Sequence, residues 1–174
     1  MPLLHMIKIN KWYLCSDRTF DWLSKGDIPS DPLYSFGING NSMSVWYYEN
    51  QEITHRIVAA LASNKQDIQE INFLIIEENE LKEHEFKIVH ANGSTPDNEL
   101  NLNFHHNITD ISAHKILNYV KHLWNMDQQK FIDKIIRFQP KDVMNHIKQG
   151  ITNGWIKERI LSEKIKRKLY PNHE

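Results

Sequence analysis

The chain has 174 residues, 25% charged and 40% hydrophobic, with 21 basic and 22 acidic side chains, ten histidines, six glycines, six prolines and one cysteine. That composition excludes a collagen-like, low-complexity or wholly disordered chain and suits one globular domain with an appendage. Cys15 has no partner for an internal disulfide, so the fold must rest on its apolar core, as suits a reducing, cytoplasmic setting. The N-terminal Met-Pro-Leu-Leu-His-Met offers no signal-peptide pattern. No apolar run approaches the roughly 18 residues of a membrane span, so no membrane association is expected.

From the N-terminus, Met6 to Cys15 alternates Ile7 and Ile9 with polar residues and then runs into Trp12-Tyr13-Leu14, which predicts a strand with Cys15 facing the core. Ser16-Asp17 can cap a short turn or helix over Thr19 to Leu23, and the stretch from Gly26 to Pro32 breaks regular structure. Tyr34 to Ile38 and Met43 to Tyr48 flank Asn39-Gly40-Asn41-Ser42, a pattern that predicts a β-hairpin. Ile53, Ile57, Val58, Ala60 and Leu61 then recur at helical spacing over Glu52 to Ser63. Ile71 to Glu77 and Glu85 to His90 read as strands joined by an acidic turn, Glu77 to Glu80.

The polar segment from Ala91 to Asn107 is unusually long for a connection inside a compact domain, and such segments are often functional or mobile. Within it, Leu100 to Phe104 alternates like an edge strand, and Asp97 and Glu99 are candidates for holding a cation. From Thr109 onward the pattern is helical. Ile111, Ile116, Leu117, Val120, Leu123 and Trp124 form one stripe, and Asp127 opens a second helix with Phe131, Ile132, Ile135 and Ile136. Pro140 opens a third helix, with Val143, Met144 and Ile147, that Gly150 would end, and Trp155 to Leu169 forms a last amphipathic helix.

The expected fold is α+β: a small, mostly antiparallel sheet packed against two helices, followed by a helical C-terminal extension. Residues 1–125 would be an acidic body and 126–174 a basic extension. The near-neutral total conceals this division. Residues 134–170 hold ten basic and three acidic side chains, a balance of +7, whereas residues 1–133 stand at −7.

This layout makes the basic segment the leading functional candidate. Lys157, Arg159, Lys164, Arg167 and Lys168 can present positive charge to an acidic protein surface or to nucleic acid, with charge complementarity steering association and apolar helix sides adding contact area. The same apolar sides suggest a homodimer through the C-terminal helices. A helix-turn-helix around Gly150 fits poorly, because Asn145 and His146 fall where small or apolar packing residues are needed. The expectation is therefore a non-enzymatic interaction protein, a character shared by toxin–antitoxin, immunity and mobile-element components.

The rival is a small nucleotide- or RNA-directed enzyme, of phosphodiesterase or NAD-dependent transferase type, using Arg18, Ser44, His90 and His106. Histidine serves as general acid or base near neutral pH, and arginine clamps phosphate. No glycine-rich phosphate loop, Gly-x-Ser-x-Gly elbow or His-Glu-x-x-His occurs, so no cofactor is expected. Among His84, His90, His105, His106, His114 and His122 no pair has metal-ligand spacing, and no metal is expected. The aromatic strand Val45-Trp46-Tyr47-Tyr48 lacks interleaved basic residues, which favours a core or interface role over base stacking.

Overall fold

A computed structural model describes residues 1–12, 23–24 and 26–171 of the chain. The strand end with Cys15, the cap at Ser16-Asp17 and the candidate Arg18 lie outside the described residues. The fold is α+β. Its strands are β1 (Pro2–Ile7), β2 (Met43–Tyr47), β3 (Ile71–Glu77), β4 (Lys87–His90), β5 (His105–Thr109) and β6 (Ile135–Phe138). The helices are α1 (Ser30–Ser35), α2 (Gln51–Ser63), α3 (Glu78–Glu83), α4 (Asn98–Asn103), α5 (Ala113–Asn125), α6 (Gln128–Asp133), α7 (Pro140–Thr152) and α8 (Glu163–Leu169). Among the described residues no helix is long and apolar enough to cross a membrane.

The strands form one antiparallel sheet in the order β4-β5-β2-β1-β3-β6. β1 pairs with β3 from Pro2 opposite Glu77 to Ile7 opposite Asn72. Successive strand residues point to opposite faces, so the consecutive buried residues Leu3-Leu4-His5 and Ile71 to Leu74 mark strands covered on both sides. Both edge strands, β4 and β6, have only four residues, which limits the unpaired backbone they present.

Several local expectations yield to capping and long-range contact. The first strand ends at Ile7, and Ile9–Trp12 turns helically while the Trp12 indole N–H donates to Ser35 Oγ at 2.7 Å. The Asn39 to Ser42 turn forms as expected, with Gly40 and Asn41 at φ 56° and 57°, but the segment before it is α1 and its loop, leaving a single bridge in place of a hairpin. Glu77 and Glu80 cap each other's backbone, which converts the acidic turn into the start of α3. Leu100 to Phe104 is not an edge strand, because the Asp97 carboxylate accepts from the Leu100 N–H and starts α4.

Two corrections concern the basic segment. The helix begun at Asp127 stops at Asp133, and the Ile75 N–H donates to the Lys134 carbonyl at 2.8 Å, so the β-branched pair Ile135-Ile136 continues as strand β6. The expected final helix is broken: Glu158–Ile160 is an isolated tight turn, and α8 starts after Ser162, whose hydroxyl accepts from the Ile165 N–H.

The chain divides into two compact units, one of residues 1–45, 72–90 and 107–136, the other of 46–71, 91–106 and 137–174. The first unit is built on rings packed edge-on and at a tilt. Trp12 packs on Phe131 and Phe36, with centroids 4.9 and 5.8 Å away, and Phe36 also meets Tyr119 at 6.0 Å. The second is built on α2 against α7. Gly150 does not end α7 but lies buried within it, and a Cβ there would sit 3.1 Å from Ala59 Cβ and 3.2 Å from Ile156 Cγ1. The left-handed residue beyond the helix is Gly154, at φ 75°. Gly150→Val is expected to lower stability by about 2 kcal/mol through overpacking, measured by urea unfolding; an unchanged midpoint would show that the two helices are not in close contact at this position.

Candidate functional site

The long polar segment is tied down by its own side chains. Buried Asn101 donates from Nδ2 to the Thr95 carbonyl at 2.6 Å, while its Oδ1 accepts from the Thr95 N–H at 3.0 Å and from Oγ1 at 2.7 Å. The Gly93 N–H donates to the Asn101 carbonyl at 3.2 Å. Asp97, 3% exposed, caps α4 through Leu100 and also binds Arg56 of α2.

Arg56 organises the surroundings. Its Nε and Nη2 both donate to the Asp97 carboxylate, and Nη2 donates again to Glu99 at 2.7 Å. Its guanidinium carbon lies 5.5 Å from the Trp155 ring centroid, within cation–π range. The hydrogen bond to Asp97 is the largest of the influences that hold the Arg56 pKa above its ordinary value. The cation expected at Asp97 and Glu99 is thus a residue of the chain itself. Around it lies a cleft of about 610 Å³, bordered also by Pro96, Asn98, Asn153, Lys157 and Ile160. A site of this size falls within the ordinary range for small-ligand pockets.

The C-terminal cations divide into two groups. Lys164 and Lys168 both bind Asp67, each at 2.6 Å, and these hydrogen bonds pull the Asp67 pKa down to about 2. Lys166 pairs with Glu163 at 2.8 Å. Lys157, Arg159 and Arg167 are exposed and form no ion pair with a described residue. The apolar side of the segment is covered: Ile156, Leu161, Ile165 and Leu169 are buried, so the contact area expected from that side is already used. Ile160, at 41%, is the large apolar residue left exposed there.

Three residues of the rival site, Ser44, His90 and His106, lie among the described residues. Ser44 is exposed on β2, and its carbonyl oxygen lies 2.8 Å from His5 Nδ1. His90 is exposed at the end of β4. His106 is half-buried on β5, its ring edge-on to Tyr47 at 4.4 Å. Ser44 and His90 belong to the first unit and His106 to the second.

Two histidine pairs went unanticipated. His55 of α2 stacks on His146 of α7, with centroids 4.0 Å apart and planes at 23°, and Phe138 closes one side of the pair. Burial lowers both pKa values, and for His146 the neighbouring His55 lowers it further, against a hydrogen bond with Gln149 and the charge of Asp142. In the first unit His84 lies 5.5 Å from His122, and burial followed by that neighbour depresses its pKa. Among the described residues no three His, Cys, Asp or Glu side chains are grouped to hold a metal ion.

Sequence reasoning singled out Asp97 and Glu99 but missed Arg56 and Trp155. The available signal was an arginine beside the apolar positions of a helix, which identifies a cation in need of a partner without saying which one. No protein-family model, curated protein or solved structure matches the chain, so function is argued from geometry alone.

Asp97→Asn preserves the shape of the side chain and a capping oxygen but leaves Arg56 without its buried counter-charge. It is expected to cost about 3 kcal/mol in chemical denaturation, and a loss under about 1 kcal/mol would show the pair to be dispensable. The depressed histidines have a definite sign. Their unfolded forms bind protons first, so stability is full above about pH 6.5 and falls as pH drops through the lower folded values. Thermal unfolding from pH 7.5 to 5 is expected to show this loss, and His146→Gln to reduce it; an identical pH slope in the variant would remove the pair as its source.

Proposed function

We propose that this is a non-enzymatic interaction protein whose C-terminal segment binds an acidic protein partner in the cytoplasm. The observation that carries the proposal is the division of the cations: Lys157, Arg159 and Arg167 stay exposed and form no ion pair with a described residue, whereas Lys164, Lys166 and Lys168 are matched by Asp67 and Glu163. Three cations with Glu158 among them make a short and interrupted array for a phosphate backbone. The same residues beside exposed Ile160 and half-buried Trp155 suit a protein surface that offers carboxylates with apolar neighbours. Charge complementarity would set the association rate and orientation, and the apolar contacts would slow dissociation.

The test is fluorescence anisotropy of the full chain with a labelled peptide of alternating glutamate and leucine, beside a single-stranded DNA of equal length. The peptide is expected to bind, and Lys157→Glu combined with Arg159→Glu and Arg167→Glu to weaken it by about tenfold or more. Binding unchanged in that variant would overturn the proposal. Tighter binding of the DNA, with a steep loss between roughly 50 and 200 mM salt, would overturn the choice of a protein partner.

A further inference from the structure

We infer that the cleft around Arg56 is the anchor pocket for a carboxylate side chain of the partner, and that Glu99 is the chain's own occupant of that position. The inference rests on the proposed acidic protein partner and names where its central contact is made. The two carboxylates on Arg56 are held very differently. Asp97 is buried, takes two hydrogen bonds from the guanidinium and caps α4, so it cannot leave without dismantling the segment. Glu99 takes one hydrogen bond, at 2.7 Å, and its side chain is 63% exposed. An exposed carboxylate held by a single contact gains little from it and exchanges readily with solvent.

A partner carboxylate replacing Glu99 would meet the same Arg56 donor and, in addition, Lys157, which borders the same cleft and forms no ion pair with a described residue. The charge count of the pocket favours a monoanion. Arg56 and Lys157 are balanced by Asp97 and Glu99, so exchanging one carboxylate for another keeps the balance, whereas a phosphate dianion would leave excess negative charge beside the buried Asp97. Trp155, Pro96 and Ile160 form apolar borders, which assigns an apolar residue next to the partner's Asp or Glu. The amides of Asn98 and Asn153 complete the border with hydrogen-bonding groups.

The sign of one substitution makes the inference testable. Glu99→Gln removes the internal competitor, so the alternating glutamate-leucine peptide is expected to bind about three- to tenfold more tightly to the full-length variant, while Lys157→Ala weakens it by a similar factor. In amide-correlation NMR spectra, the Trp155 indole N–H and the side-chain amides of Asn98 and Asn153 should shift during the peptide titration, and free glutarate at the same concentration should leave them in place. Equal or weaker binding by Glu99→Gln, or shifts confined to Arg159 and Arg167, would overturn the pocket assignment while leaving the proposed function standing. Shifts produced equally by glutarate would assign the pocket to a small carboxylate and overturn the partner contact. Absence of peptide binding to every form would remove the acidic-partner reading itself.

Discussion

The hydrogen-bonded ion pair between Arg56 and Asp97 is the constraint on which the second unit's cleft depends. A buried carboxylate is stable only when its charge is compensated and its lone pairs are used. Asp97 meets that requirement through Arg56 on one side and the α4 backbone on the other. The pair therefore fixes a polar segment with little apolar content to a helix of the unit's core, and the Thr95–Asn101 bonds complete the attachment. Trp155 against the guanidinium then brings the residues after α7 to the same cation. One arginine thus links α2, the segment before α4 and the residues after α7.

This organisation changes the meaning of the charge layout. Along the sequence an acidic body at −7 precedes a basic segment at +7. Divided by compact units, the first holds 10 basic and 12 acidic residues and the second 11 and 10, so each is close to neutral by itself. The basic segment folds with acidic residues of its own unit, most directly through Asp67. Self-neutralisation accounts for the lysines of α8 and leaves Lys157, Arg159 and Arg167 exposed with no ion pair to a described residue.

Legibility followed the range of the interaction that decided each element. The buried strand at Ile71 to Glu77, the helix at Glu52 to Ser63, the tight turn at Gly40-Asn41 and the capped start of α7 depend on local periodicity and turn chemistry, which the sequence displays directly. Strand β6 was read as helix because Ile135 and Ile136 also fit the stripe begun by Phe131, and only pairing with distant β3 decides between the two. Gly150 was read as a terminator because a glycine's need for close approach is visible only from the other helix. The cleft was half legible: Asp97 and Glu99 announced a cation site, but the identity of the cation and the arrival of Trp155 are separated from them by 41 and more residues. The stacked His55–His146 pair, built across two helices, left no spacing to detect.

The most direct measurement is native-state hydrogen exchange of the full chain, compared with Asp97→Asn and read at the amides of Gly93, Thr95, Leu100 and Asn101. If the Arg56–Asp97 pair holds the segment that borders the cleft, all four amides lose protection together in the variant, more than the amides of α5 do. Exchange that accelerates only at Leu100, the amide capped by Asp97 itself, would reduce Asp97 to a helix cap and contradict the account.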